Sequence, residues 1–194
     1  SCVVIVATVR ALKMHGGVEK ENLKKEYTDS LKKGLVNLER HILNIKKFGL
    51  EPIVAINHFA LDTKKEINGV LNFCKNMNVQ VSECKHWAMG GKGTTDLAKK
   101  VVKTCKDSKK SNFKLLYEDN LNLWDKIEKI VKEIYRGNGI TANEDVKEQL
   151  KVFENNGYKS LPVCIAKTQY SFSTDPKLKG CLLYTSDAAD DIPR

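Results

Sequence analysis

PIVAINHFALDT, residues 52–63, begins with an apolar run that stops at Asn57 and gives way to a polar loop containing one aromatic, Phe59. A strand with one wet face would alternate polar and apolar residues. A near-continuous apolar run predicts a strand covered on both faces, which is the habit of parallel sheets flanked by helices. Three more runs read the same way: CVVIVATV (2–9), VQVSEC (79–84) and LPVCIAK (161–167), with a weaker fifth in FKLLY (113–117). Between them the spacing turns helical. Leu31, Leu35, Leu38, Ile42 and Ile45 line one face of a helix expected over about 22–48, with Gly49 as its stop. Further helices are expected over 64–77, after Gly93 with Leu97, Val101, Val102 and Cys105 inward, around Leu123, Ile127, Ile130, Val131 and Ile134, and over about 143–156. Trp124 falls within the fourth pattern and is expected in the core. Strand and helix in alternation predict an α/β fold, a doubly wound, mostly parallel sheet with flanking helices.

The 194 residues are 41% hydrophobic, enough for a sizeable core, and no apolar run approaches the roughly 20 residues of a membrane span. The six cysteines are scattered without a CxxC pair or metal-type spacing, so no metal site is expected, and buried thiols in a reducing, cytoplasmic setting are. The chain opens inside a strand, and CLLYTSDAADD near its end matches the translation of a transposase sequencing adapter. Residues 1–180 are therefore expected to be an internal fragment, and 181–194 a non-native tail. Without the three aspartates and one arginine of that tail, the net charge of +9 becomes +11. Lysines spread along helical faces supply nearly all of it. That is the pattern of a solvated basic surface that favours anionic small molecules, and no RNA- or DNA-binding signature accompanies it, so neither a nucleic-acid nor a membrane partner is expected.

In such sheets ligands lie at the carboxyl ends of the strands, which directs attention to four loops. Residues 10–18 bring Arg10, Lys13 and His15 to a pair of glycines, a set able to hold a carboxylate or phosphate or to be an ordinary basic loop. In 58–63, Phe59 either faces the crevice or packs beneath its own loop, while Asp62 and Thr63 suit capping of the next helix. In KHWAMGGKGTT (85–95), Gly93 separates Lys92 from Thr94, which breaks the GxxxxGK[ST] order of a phosphate loop, and no Gly-Lys-Ser/Thr occurs anywhere in the chain. Gly90, Gly91 and Gly93 still permit close backbone approach, and Trp87 suggests a flat partner. Phe59 and Trp87 on neighbouring strand ends would sandwich a planar heterocycle. Lys167 and Thr168 offer hydrogen bonds to a base or phosphate, or are a solvated terminus.

VVIVATVRALKMHGGV, VAINHF, HWAMGGKGTTDLA, DKIEKIVKEIYRGNGI and LPVCIAKTQYSFS, in this order over residues 2–180, closely resemble formate–tetrahydrofolate ligase, also called 10-formyltetrahydrofolate synthetase. The resemblance implies part of a larger P-loop NTPase-like ligase that joins formate to tetrahydrofolate with ATP and magnesium, by way of formyl phosphate. It implies that Phe59 and Trp87 flank the folate ring. Arg10, Lys13, Lys167 and Thr168 remain candidate phosphate or nucleotide contacts by strand-end position. Met89 stands where relatives often carry a charged residue. The family's Walker A loop has no counterpart in these residues, so the chain alone is expected to be inactive, and the parent a homo-oligomer. The rival reading is a non-catalytic folate-binding or scaffold module of the same fold.

Overall fold

The computed structural model describes residues 2–107, 112–166 and 186–187, and it falls into two units, Ser1–Lys114 and Leu115–Arg194, taken separately below.

In the first unit three parallel strands, β1 (Val3–Ala7), β2 (Pro52–Asn57) and β3 (Gln80–Cys84), lie in the order β1-β2-β3, with Val3 opposite Pro52 and Ile53 opposite Gln80. Helices α1 (Val9–His15) and α2 (Thr28–Lys47) connect β1 to β2, and α3 (Lys64–Asn76) connects β2 to β3. Their apolar stripes meet one face of the sheet in a core of Leu12, Leu31, Leu35, Leu38, Ile42, Val54, Ile56, Ile67, Val70 and Cys74. The α2 stripe begins only at Leu31, and the helix accordingly starts at Thr28 rather than near residue 22, with Lys20–Asn22 forming a separate 3₁₀ turn. Gly49, at φ 71°, follows its end as expected.

Residues 9–15 are helix, where the sequence suggested a loop over 10–18. Thr8 accepts a hydrogen bond from the Ala11 N–H at 3.1 Å and so caps α1, and Gly16 stops it. Gly16 serves packing. A Cβ on it would lie 1.7 Å from the Ser30 carbonyl oxygen, and one on Gly34 would lie 1.8 Å from that of Leu12. The backbones of α1 and α2 thus touch where a side chain would hold them apart.

After β3 come the short helix α4 (His86–Met89), a 3₁₀ turn over Gly90–Thr94, and α5 (Thr95–Asp107). Val81 packs into the core, so Ser82 faces the other side of the sheet. There it donates to Asp96 Oδ2 at 2.5 Å, which places α5 on that side. No residue of α5 is fully buried. Leu97 and Val101 are half-buried, whereas Val102 and Cys105 are exposed, a departure from the inward placement expected of all four. The strand expected over 113–117 is absent: Phe113 stacks on Phe48, centroids 6.5 Å apart and planes 10° apart, and the Lys114 N–H donates to the Phe48 carbonyl.

The second unit contains α6 (Leu123–Ile130), a π-helical turn over Val131–Tyr135, and α7 (Glu144–Asn155), capped by Asn143. Trp124 is half-buried. Ile140–Thr141 pair in parallel with Ser186–Asp187. Residues 161–166 form no strand despite their apolar run. Their neighbourhood is satisfied by side chains in place of a ladder. Lys126 donates to the carbonyls of Lys159 at 2.7 Å and Leu161 at 3.0 Å, and the Val163 N–H donates to the Tyr117 hydroxyl at 2.8 Å. Lys167 and Thr168 lie outside the described residues. No helix among the described residues is long and apolar enough to cross a membrane.

Candidate functional site

At the carboxyl edge of the sheet, the chain leaving β2 stays in register for one more residue, because the His58 N–H donates to the Cys84 carbonyl at 3.0 Å. It then folds on itself. The Phe59 N–H donates to Asp62 Oδ2 at 2.8 Å, and the Asp62 N–H returns to the Phe59 carbonyl at 2.9 Å. Asp62 therefore fixes the turn that carries Phe59, and capping falls to Thr63. Its hydroxyl accepts from the Glu66 N–H, while Glu66 accepts from the Thr63 N–H, a complete capping box.

Trp87, on α4, comes to the same place. The Phe59 and Trp87 rings are 6.5 Å apart at their centroids and 37° out of parallel, and Trp87 is 75% exposed. The Arg10 guanidinium joins them from α1, 4.7 Å above the Phe59 ring, a cation–π contact. Three of the residues singled out from sequence thus converge, on three successive strand ends.

Lys13 does not join them. It is buried on the core side of α1, 2.9 Å from Glu66 Oε1, and it donates to the carbonyls of Leu23 and Lys25 at 2.8 and 2.9 Å. All three ammonium hydrogens go to internal acceptors, so in this arrangement Lys13 has nothing left to offer an anion. Arg10 stands in the first turn of α1, over Phe59, and Lys13 lies a turn further on, where Glu66 and the Leu23 and Lys25 carbonyls take its ammonium.

The glycine loop is closed by its own hydrogen bonds. The Lys85 N–H donates to the Gly93 carbonyl at 3.0 Å, Thr94 Oγ1 to the Gly91 carbonyl and Thr95 Oγ1 to the Lys92 carbonyl, each at 3.1 Å. The glycines differ in kind. Gly90, at φ 55°, occupies backbone space that side chains disfavour. Gly91 faces open space. Gly93 presses on Lys85, where a Cβ would lie 2.5 Å from the carbonyl carbon and oxygen. The loop's compactness is what places Trp87.

Beside the rings lies a charged group that sequence reasoning missed. Glu83 Oε1 is 2.5 Å from His58 Nδ1 and 3.2 Å from Lys85 Nζ. Burial pushes its carboxyl up, but the hydrogen bonds from His58 and Lys85 together outweigh burial and hold it below the usual carboxylate range. Register would have found the group, since Glu83 pairs with Ile56 and its partners flank the strand ends. Asn57 Oδ1, at the end of β2, is buried with no hydrogen-bond partner among the described residues. The signal there was a polar residue closing an otherwise apolar strand.

An α/β layer whose carboxyl edge gathers a phenylalanine, an exposed tryptophan and an arginine makes that edge the candidate site for a small molecule. The sequence profile described as formate–tetrahydrofolate ligase matches residues 1–183, and the chain belongs to that family. It is 56% identical over 180 residues to a formate–tetrahydrofolate ligase of Pelagibacter ubique (strain HTCC1062) and 52% identical over 180 residues to that of Staphylococcus aureus (strain JH9). In each case the match covers 93% of this chain and 32% of the relative, so the chain spans about a third of the length of these relatives.

Proposed function

We propose that a polypeptide carrying this chain within the full length of its relatives joins formate to tetrahydrofolate using ATP and magnesium, through formyl phosphate, and that this chain supplies the wall for the folate ring. The observation that carries the reading is the meeting of Phe59 and Trp87 at the carboxyl edge of a sheet in a member of this family. A flat ring between two aromatics needs faces roughly 7 Å apart, two van der Waals contacts of about 3.5 Å each. The pair stands at 6.5 Å and is tilted by 37°, so entry requires Trp87 to turn, and its exposure leaves it free to do so. Arg10 over Phe59 keeps the opposite wall in place and presents positive charge to an anionic substrate or intermediate. Asn57 Oδ1 offers an acceptor to a ligand N–H. No Gly-Lys-Ser/Thr occurs in this chain to hold the nucleotide phosphates and magnesium, and Arg10, Lys167 and Thr168 remain its proposed contacts to phosphate or nucleotide. A cytoplasmic homo-oligomer is proposed on the resemblance alone.

The test is a titration of tetrahydrofolate followed by tryptophan emission, with Trp124→Phe leaving Trp87 as sole reporter. Aromatic contacts of about 0.5–1.5 kcal/mol each predict that Phe59→Ala weakens binding about 2- to 12-fold. In the full-length polypeptide, the KM for tetrahydrofolate rises while that for ATP stays unchanged. Trp87 emission that tetrahydrofolate leaves unchanged, or an affinity insensitive to Phe59→Ala, would refute the folate wall. Folate binding without ATP-dependent formyl transfer in the full-length polypeptide would favour a non-catalytic module.

A further inference from the structure

Away from the crevice, at the amino-terminal edge of the sheet, two thiols meet. Cys2 directly precedes β1, Cys105 lies in the last turn of α5, and their Sγ atoms are 3.8 Å apart. The neighbouring Gln80 Nε2 donates to Thr104 Oγ1 at 3.1 Å and fixes this end of α5 over the start of β3. We infer that Cys2 and Cys105 form a dithiol that a peroxide converts to an intrachain disulfide, pinning the end of α5 to the start of β1.

A disulfide needs about 2.05 Å between sulfurs, so the atoms must close by somewhat under 2 Å. With no fully buried residue, α5 meets little packing resistance to that shift. Cys105 is exposed and meets the oxidant first. Its thiolate attacks one peroxide oxygen, the O–O bond breaks, and Cys105 becomes a sulfenic acid as water leaves. The Cys2 sulfur then attacks the sulfenic sulfur, the S–O bond breaks, and a second water departs with the thiol proton. Two thiols are oxidised to one disulfide, and one peroxide is reduced to two waters. Burial, and after it the hydrogen bond from Cys105, hold the Cys2 thiol above its ordinary value, so Cys2 is not the thiol that meets the peroxide, and its part is assigned by its place 3.8 Å from the Cys105 sulfur. Cys74 and Cys84 are unsuited to either step, being buried, with the Cys74 thiol pushed up to about 11 by burial.

The experiment treats the purified protein with hydrogen peroxide, blocks remaining thiols, and maps the peptides by mass spectrometry with and without dithiothreitol. The expected result is a monomer lighter by two hydrogens, with the Cys2 and Cys105 peptides joined until reduction. Cys2→Ser and Cys105→Ser should each abolish the link, and Cys164→Ser should leave it unchanged. A link between two chains, a link through Cys164 or Cys181, or Cys105 passing to sulfinic acid with no joined peptide would each overturn the inference. Circular dichroism of the two serine variants matching the parent shows that loss of the link is not loss of fold.

Discussion

Replacing Lys13 by methionine keeps most of the stem's volume and removes one ammonium, so the cost is electrostatic rather than a cavity. The lost group serves Glu66 Oε1 at 2.9 Å and the Leu23 and Lys25 carbonyls at 2.8 and 2.9 Å, with both side chains of the pair essentially inaccessible. Glu66 keeps the N–H groups of Tyr27 and Thr63, each at 3.1 Å, but loses its counter-charge. Breaking a buried pair from one side costs about 3–5 kcal/mol, against about 5–15 kcal/mol for the whole stability of a typical domain. Adding Glu66→Gln removes the stranded charge, so the double variant should be less destabilised than the two single losses sum to. Acid supplies a second check. Burial pushes the Glu66 carboxyl up, yet hydrogen bonds from Lys13 and from the Thr63 and Tyr27 N–H groups hold it below the ordinary range. Because its folded value is depressed, the stabilisation is present above the ordinary carboxylate range and is lost as pH falls through the folded value. Urea unfolding followed by far-UV circular dichroism should therefore show a gap between parent and Lys13→Met that is wide at neutral pH and narrows in acid. A neutral-pH loss under about 1 kcal/mol, or a gap constant with pH, would refute a charged, stabilising pair.

The glycine loop yields a contrast between near neighbours: Gly93→Ala drives a Cβ against the Lys85 carbonyl and should cost about 1–3 kcal/mol, while Gly91→Ala meets nothing within 4 Å and should stay within about 0.5 kcal/mol in the same urea assay. Since the Gly93 contact also shapes the loop that holds Trp87, only Gly93→Ala should shift the emission maximum of Trp87. Thr63→Ala opens the α3 capping box and should lower stability by about 1 kcal/mol, with Thr63→Ser restoring most of it.

Strand β2 was legible because a strand covered on both faces must be apolar nearly throughout, and α2, α3 and α7 because their stripes or caps are regular. Strand β1 forms as its apolar run predicts but leaves Val4 and Val6 exposed, and β3 is polar at Gln80, Ser82 and Glu83, so the expected double cover holds for β2 alone. The run over 161–166 shows where that legibility ends. Apolar composition favours burial, whereas a strand also needs a neighbour to complete its ladder; here no residue over 161–166 is buried, and a lysine and a tyrosine supply hydrogen bonds to the segment. Helix α1 was hidden by its charges. Arg10 and Lys13 resemble one another in composition, yet one lies over Phe59 and the other ends in the core, a division made by the partners each meets one turn apart along α1. Phe59 and Trp87 were legible as partners because strand order brings their loops together. Their tilt and the Glu83 group beside them depend on register and backbone angles that residue type does not encode.

The contact of Gly16 and Gly34 with the opposing helix backbones has a mechanical consequence. It locks α1 to α2, and the Lys13–Glu66 pair bolts α3 to both, so the helices on that side respond to load as one block. Across the sheet, α5 buries no residue fully and is held through the hydrogen bonds of Asp96, Lys100 and Thr104 to β3. The crevice is thus a vise with unequal jaws. Arg10 and Phe59 sit on the fixed jaw and Trp87 on the compliant one, so under the proposed folate reading the displacement on binding should fall mainly on the 85–95 side.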